Sequence, residues 1–154
     1  MGNKKAKQQR KAAREAVAAL YREIPQVRCK GLCHETCGSI PVVDAEMPVF
    51  KKALKGPLQH TMPIPRHGER DSNGNIIPDG VLICGDKDIT CPALTEDMRC
   101  GVYADRPLIC RLYGVVNSPK MICPHGCTPE RWVKNDEVGG WYSRLREIER
   151  GKKQ

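Results

Sequence analysis

Aromatic residues are scarce in this chain of 154 residues, which contains one Phe, two Trp and four Tyr. Glycine and proline are frequent by comparison, with 14 and 12 residues. A single domain of this length usually depends on a large apolar core, and few bulky side chains are present to fill one. We therefore expect additional stabilisation from the nine cysteines, either as disulfides or as metal ligands.

Long apolar runs are also missing from the start of the chain, MGNKKAKQQRKAAREAVAAL, where the longest run covers residues 16–20. A secretory signal needs roughly 7 to 15 apolar residues and a membrane helix needs about 20. We therefore expect a cytoplasmic protein without a membrane partner. Clustered thiols in a reducing cytosol are more often metal ligands or redox groups than disulfides, and an odd number of cysteines favours the same interpretation.

Acidic residues are few at the two ends of the chain. Residues 1–30 hold nine Lys or Arg and two Glu, and residues 144–154 hold five basic and two acidic residues. The net charge of +8 therefore comes from the ends, and the cysteine-rich middle is nearly neutral. The basic N-terminus allows two interpretations, a solvated tail or a contact with nucleic acid.

Helix-forming residues fill positions 3–24, which contain no Gly or Pro, and Pro25 ends this predicted helix. Residues with helical spacing near its end predict one buried stripe: Val17, Leu20, Tyr21 and Ile24. Turn residues and capping residues predict the other elements. These are a helix over 44–55 capped by Asp44, a loop over 56–80 with a turn at Asn73-Gly74, short strands near 81–84 and 99–103, a helix capped by Thr128, and a last helix from about 136 to 150.

The cysteines form local groups with two kinds of spacing. Residues 29–37, CKGLCHETC, contain two C-x3-C steps, residues 123–127, CPHGC, contain one, and residues 91–110 have the spacing C-x8-C-x9-C. No C-x2-C step occurs, so the chain does not follow the usual zinc-finger pattern. Cys-Pro pairs at residues 91–92 and 123–124 are also found in iron–sulfur loops. Zinc and an iron–sulfur cluster, including 4Fe-4S, therefore remain alternatives.

The stretch CPALTEDMRCGVYADRPLICRLYG, over residues 91–114, resembles the YkgJ-type cysteine-cluster family of zinc- or iron-chelating domains. Members carry an early cysteine cluster followed by C-x-x-L, then C-x-x-Y-x-x-R-P-x-x-C-R. Matching positions are Cys91, Leu94, Cys100, Tyr103, Arg106, Pro107, Cys110 and Arg111. The resemblance covers roughly residues 29–127 and implies metal binding by cysteines. At the front, this chain has C-x3-C-x3-C where the family pattern is C-x2-C-x2-C-C.

Eight cysteines are predicted metal ligands, in one or two centres: Cys29, Cys33, Cys37, Cys91, Cys100, Cys110, Cys123 and Cys127. Cys84, in the apolar stretch VLIC, is predicted to be a buried free thiol. Histidines are weaker candidates. His34 and His125 lie inside C-x3-C loops, where geometry disfavours them as additional ligands, and His60 and His67 lie in the polar loop.

The stretch YADRPLIC is interpreted as presenting Cys110 on a short helix capped by Asp105. Tyr103 is expected in the core. Arg106 and Arg111 have two interpretations, as donors that offset thiolate charge or as partners of surface carboxylates.

The predicted fold is a small, irregular α-rich (α+β) domain organised around cysteine-ligated metal, with a basic N-terminal helix outside it. We divide it into a basic tail and helix (1–26), a cysteine-cluster metal-binding domain (27–130) and an amphipathic C-terminal helix packing on it (131–154). The predicted function is metal binding. Two alternatives are a redox or cluster-dependent enzyme component and a metal-stabilised module that binds nucleic acid through the N-terminal helix. The sequence shows no catalytic constellation beyond the cysteines.

Overall fold

α-Helices and a small antiparallel sheet make up the computed structural model, which describes residues 2–54, 58, 60–70, 72–74, 76–84 and 90–152. Within these ranges, the side chains of residues 2–3, 60, 65–69, 76–79, 84 and 152 are not described. The helices of the described chain are α1 (Gly2–Glu23), α2 (Met47–Ala53), α3 (Leu108–Leu112) and α4 (Asn135–Lys152). The strands are β1 (Ile40–Val43), β2 (His60–Arg70) and β3 (Ile76–Cys84), and 3₁₀ turns cover His34–Thr36 and Tyr103–Asp105.

Helix α1 is solvated in its first half and packed in its second. Lys4 and Lys11 are exposed, whereas the predicted apolar stripe is buried and Leu20 is fully inaccessible. Arg144 of α4 donates a hydrogen bond of 2.7 Å to the Glu23 carboxylate at the end of α1. The predicted first and last helices are confirmed. The expectation that the N-terminal helix lies outside the domain is wrong for its second half, which forms part of the core.

The three strands form an antiparallel sheet in the order β1-β3-β2. Ile40 of β1 pairs with Ile83 of β3. Gly80 allows these strands to approach closely, because a Cβ at that position would lie 2.4 Å from the Val42 carbonyl oxygen. The sheet therefore depends on glycine at this position.

The prediction of a loop over residues 56–80 is wrong for the residues of β2 and β3, which pair as a hairpin. The prolines of β2 concealed the strand in the sequence. β2 is an edge strand of the described sheet, where a missing N–H is tolerated, and the register shifts next to Pro65. The predicted turn at Asn73-Gly74 is confirmed, and Gly74 has the positive φ of 81° that favours glycine.

Two predicted helix caps are wrong. Helix α2 begins after Glu46, not after Asp44, and Glu46 occupies the N-cap position without a capping hydrogen bond from its side chain. Asp105 ends a 3₁₀ turn instead of capping a helix, and α3 begins at Leu108 with Pro107 as its N-cap residue.

Two further predicted elements are absent from the described residues. The segment after Thr128 forms no helix, because Pro129 pairs with Val27 in an antiparallel bridge that requires an extended backbone. The strand predicted near residues 99–103 is reduced to an isolated bridge at Cys100.

Two apolar clusters fill the interior of the described chain. The first lies among α1, α3 and α4 and includes Leu20, Leu112 and Leu145. The second includes Phe50 of α2 and Ile83 of β3, and the thiols of the C-x8-C-x9-C group pack against it. The predicted α+β class is confirmed.

Among the described residues, no helix combines the length and apolar character that crossing a membrane requires.

Candidate metal centre

Residues 91–101 fold back on themselves and bring predicted ligands together. Leu94 and Cys100 form an antiparallel bridge, which returns the chain to the neighbourhood of Cys91. The Cys91 amide donates a hydrogen bond of 2.8 Å to the Cys37 carbonyl. This loop therefore joins the middle cysteines to the last cysteine of the N-terminal triple.

Cys110 reaches the same region from helix α3. Pro107 precedes the helix with φ −62°, and the Leu108 amide donates a hydrogen bond of 2.6 Å to the Glu46 carboxylate. The Cys110 amide donates to the Pro107 carbonyl at 3.0 Å. The start of α3 is thus held by Pro107 and Glu46, and it directs Cys110 toward the second apolar cluster.

Four thiols are electrostatic neighbours in this region, and we call them the inner set: Cys37, Cys91, Cys100 and Cys110. The pKa of Cys110 is raised to about 12, mainly by burial and also by the charges of the other three thiolates. Burial also raises the pKa of Cys37, with additional contributions from Cys91 and Cys100. Burial raises the pKa of Cys91 as well, and the Cys100 thiolate adds to it. Every pair within the inner set therefore interacts, and Cys37 is also influenced, less strongly, by Cys29.

The segment around the N-terminal triple faces the segment around CPHGC. Val27 and Pro129 form the bridge at the base of the two segments. Lys30 Nζ donates to the His125 carbonyl at 3.1 Å, and the Glu35 carboxylate lies 3.1 Å from Nε2 of His125. The two C-x3-C loops are therefore held together although they are distant in sequence.

The thiols of these facing loops form what we call the outer set: Cys29, Cys33, Cys123 and Cys127. The pKa of Cys33 is raised to about 11, mainly by burial and then by the Cys29 and Cys123 thiolates, which contribute more than Cys37 does. Gly114 has the positive φ of 85° that favours glycine, and a Cβ there would also lie only 3.3 Å from Val27. Cys29 is exposed, Cys33 is half-buried, and Cys123 and Cys127 are buried, so the outer set is open to solvent on the side of Cys29.

Backbone amides point at sulfur atoms of both sets. The Gly31 amide donates to Cys29 Sγ at 3.3 Å. Burial raises the pKa of Cys91, against the opposing effect of amide hydrogen bonds from Ala93 and Leu94. Amide donors of this kind stabilise thiolates and are common around metal-bound sulfur.

Cys123 shows the strongest effect of such donors. Burial acts to raise the pKa of Cys123. The opposing effects are larger, so that the pKa is lowered. They come from hydrogen bonds donated by the Cys127 and His125 amides and by the Cys127 thiol, and from the nearby charge of Lys30. The CPHGC loop is therefore arranged to favour a thiolate at its first cysteine.

Two arginines flank Cys110. Arg106 Nε is buried without a hydrogen-bond partner among the described residues, and the guanidinium lies 4.0 Å from the centre of the Tyr103 ring. Burial dominates the pKa of Cys110, and the positive charge of Arg106 opposes that rise. Arg111 donates to the Arg106 carbonyl at 2.8 Å and lies 3.9 Å from the centre of the Tyr21 ring. An unused N–H donor on an arginine whose charge acts on Cys110 fits a metal centre, where bound sulfur accepts such donors.

Tyr103 is 44% exposed, so the prediction that it lies in the core is wrong. His125 lies 3.1 Å and His34 lies 3.8 Å from the Glu35 carboxylate, which gives both rings a carboxylate neighbour. The side chains of three further residues with predicted roles lie outside the described residues: Cys84, His60 and His67.

Glu46 is a candidate that the sequence analysis missed. Its carboxyl is 1% exposed and accepts hydrogen bonds from the Tyr21 hydroxyl at 2.5 Å and the Val43 amide at 3.2 Å. Burial raises the pKa of Glu46 above its ordinary value. The sequence signal for this role is an acidic residue within the apolar stretch VVDAEMPVF. Through its hydrogen bond with the Leu108 amide, Glu46 holds the start of α3.

Among the described residues, no three His, Cys, Asp or Glu side chains lie close enough to hold one metal ion. The loops bring the thiols into two neighbourhoods without completing a coordination sphere. Converging thiolates repel one another unless a cation offsets their charge. The donor chemistry nevertheless fits a thiophilic metal, because the eight described cysteines are free thiols, amides point at several sulfurs, and Arg106 has an unused donor.

Fold and site together define a cysteine-rich α+β domain whose candidate metal ligands come from distant segments. Residues 28–128 match the model of the family CxxCxxCC, described as "Putative zinc- or iron-chelating domain". The match covers more than half of the chain and includes all nine cysteines, and the chain belongs to this family. This confirms the family predicted from the signature over residues 91–111. No curated protein and no solved structure matches the chain.

Proposed function

We propose that this protein is cytoplasmic and binds zinc or an iron–sulfur cluster through the thiolates of the inner and outer sets. Its membership in a family described as zinc- or iron-chelating supports this role. The observation that carries the proposal is the hydrogen bond of 2.8 Å from the Cys91 amide to the Cys37 carbonyl, because it joins the family signature to the N-terminal triple. No catalytic residue is proposed.

Bound metal would tie together segments that are distant in the sequence. The inner set draws on the N-terminal triple, the loop over residues 91–101 and helix α3. The chain has few aromatic side chains to join these segments. Since metal binding to a folded site contributes directly to folding free energy, we expect the metal-loaded chain to be the more stable form.

Zinc and a 4Fe-4S cluster are both compatible with four thiolate ligands. The amide donors at Cys91 and Cys123 support either metal, because they reduce the cost of thiolate charge. Arg106 supports either metal for the same reason, since its charge opposes the effect of burial on the pKa of Cys110.

The test is purification without oxygen, followed by measurement of zinc, iron and acid-labile sulfide per chain. Iron with matching sulfide and visible absorption indicates a cluster, whereas zinc without colour indicates a zinc site. A chain that holds neither metal, and takes up neither zinc nor iron with sulfide on reconstitution under reducing conditions, contradicts the proposal.

The exposed first half of α1 favours a second candidate function, in which the protein also contacts nucleic acid. Its exposed basic residues are Lys4, Lys5, Lys7, Arg10, Lys11 and Arg14. Ala13 is buried, so a deletion of residues 1–11 removes basic residues without cutting into the core. We expect this deletion to weaken RNA binding and to make the remaining affinity less dependent on salt concentration, with metal content unchanged. Gln at the exposed Lys51 and Lys52 is the matched control, and equal losses in both variants would exclude a specific role for α1.

The alternative of a cluster-dependent enzyme component gains no support from the cavity of about 290 Å³ between α1 and residues 104–111. The residues that line it include Tyr21, Asp105 and Arg111, and no cysteine.

A further inference from the structure

The geometry points to two separate metal centres, one held by the inner set and one by the outer set, each taking one zinc ion or one iron–sulfur cluster. This inference rests on the proposed function, because it concerns how the same eight thiols divide. The alternative is a single cluster that leaves some thiols unbound. We infer instead two sites that differ in their exposure to solvent.

The 3₁₀ turn His34–Thr36 divides the N-terminal triple between the two sets. Cys33 lies at its N-terminal boundary and Cys37 at its C-terminal boundary. The Cys37 carbonyl accepts the Cys91 amide of the inner set at 2.8 Å. Cys33 lies on the side of the turn that leads back to Lys30, whose Nζ donates to the His125 carbonyl at 3.1 Å. The turn therefore stands between a thiol of the outer set and a thiol of the inner set.

The inner set has its own scaffold. The Cys91 amide is bonded to the Cys37 carbonyl at 2.8 Å, and the Leu94–Cys100 bridge closes the loop between its middle members. Three of its thiols, those of Cys91, Cys100 and Cys110, pack against the second apolar cluster. The inner set therefore forms a centre that is shielded on one side by apolar side chains.

The outer set has a different scaffold, built from the two facing C-x3-C loops. Lys30 and Glu35 of the first loop both contact His125 of the second, each at 3.1 Å. Amides within these loops point at sulfurs of the outer set, such as the Gly31 amide on Cys29 at 3.3 Å. Cys29 is exposed while Cys123 and Cys127 are buried, so solvent and chelators would reach metal in this centre from the side of Cys29.

Titration of the reduced, metal-free full chain with zinc alone tests the division. We expect two equivalents of zinc per chain, measured by mass spectrometry under native conditions. Cys33→Ser should lower this to about one equivalent by removing the outer centre, and Cys110→Ser should do the same by removing the inner one. The double variant should bind none tightly, and Cys84→Ser is the matched control that should keep both.

Removal of zinc from the unmodified chain by a chelator gives an independent readout that does not depend on the folding of a variant. We expect two phases of equal amplitude, with zinc released first from the outer centre, whose Cys29 is exposed. Cys33→Ser should abolish the fast phase, and Cys110→Ser the slow one. A single equivalent of zinc that either substitution abolishes, or a single release phase, overturns the division while leaving the proposed function standing. A chain that binds neither zinc nor iron overturns both.

Discussion

The Tyr21 hydroxyl donates a hydrogen bond of 2.5 Å to Oε1 of Glu46, and the Leu108 amide donates to the same oxygen at 2.6 Å. The other carboxyl oxygen accepts the Val43 amide at 3.2 Å. One buried carboxyl therefore joins α1, β1 and the start of α3, the helix that carries Cys110. The N-terminal helix is connected to the inner set through this contact.

Glu46→Gln should destabilise the protein by about 1 to 3 kcal/mol, the usual cost of leaving a buried polar group unsatisfied. The amide oxygen of glutamine can still accept from Tyr21 and Leu108. A protonated carboxyl can carry its proton on Oε1, where the O–H oxygen still accepts the Leu108 amide, and Oε2 still accepts the Val43 amide. The NH₂ group of glutamine only donates and must face one of these two amides, so that two donors meet. Unfolding in urea, followed on the metal-loaded protein, measures the loss.

Tyr21→Phe is the matched control for this contact. It removes one donor to Glu46 but keeps the ring under the Arg111 guanidinium, and should therefore cost less, about 0.5 to 1.5 kcal/mol. Equal stability of the Glu46→Gln variant and the unmodified protein would show that the carboxyl does not hold the three elements together.

The same carboxyl predicts a pH dependence. Burial raises the pKa of Glu46 above its ordinary value of 4.5, against opposing hydrogen bonds and the charge of Arg111. The native state therefore keeps a proton that the unfolded chain has released, and stability falls as pH rises from about 4.5 through the native pKa. Tyr21 and Tyr142 also face this carboxyl, and both hold their protons in this range because burial raises their pKa values.

Urea unfolding at a series of pH values tests this sign. Glu46→Gln lacks the titrating group, so the stability difference between the unmodified protein and this variant should shrink as pH rises above 4.5. Effects of pH on metal binding are shared by both proteins and cancel in the difference. A difference that stays constant or grows with pH would contradict the raised pKa.

Local patterns predicted the elements that depend on neighbouring residues. Helix α1 follows from an uninterrupted run of helix formers, and the turn at Asn73-Gly74 follows from its residue types. The signature over residues 91–111 predicted the family, because its spacing is specific. These features are readable because each is encoded within about 20 residues of sequence.

Long-range contacts could not be predicted in this way. No periodicity indicates that Glu46 lies beneath α3, or that Cys37 joins the middle cysteines while Cys33 joins CPHGC. The hairpin of β2 and β3 was missed because its prolines mimic a loop, although an edge strand tolerates them. The sequence predicts Asp105 as a helix cap because it does not show that Pro107 is the N-cap residue of α3.

Gly80→Ala and Gly139→Ala form a matched pair that tests the packing of the sheet. At Gly80 a Cβ would lie 2.4 Å from the Val42 carbonyl oxygen, so the strands must separate, at a cost of about 1 to 3 kcal/mol. At Gly139, in α4, nothing lies within 4 Å, and alanine should stabilise the helix by about 0.5 to 1 kcal/mol. Thermal unfolding should show shifts of opposite sign, and a neutral Gly80→Ala would mean that β1 and β3 are not this close.

Arg106 provides the test of how charge supports the inner set. Its Nε donor is buried without a partner among the described residues, and its charge opposes the effect of burial on the pKa of Cys110. Substitution of residues that support metal ligands typically lowers affinity 10- to 100-fold. We expect Arg106→Gln to weaken binding of metal at the inner set by roughly this factor, with the outer set unchanged.

Competition with a chelator measures this affinity on the Cys33→Ser background, where the inner set alone is expected to bind zinc. Arg106→Lys keeps the charge but not the planar donor group, so it should recover only part of the affinity. Arg144→Gln is the control, since it breaks an exposed ion pair with Glu23 and should leave zinc affinity unchanged. If Arg106→Gln and Arg144→Gln bind zinc equally well, the unused donor of Arg106 does not face metal-bound sulfur, and the inner set is held by its loops and by α3 alone.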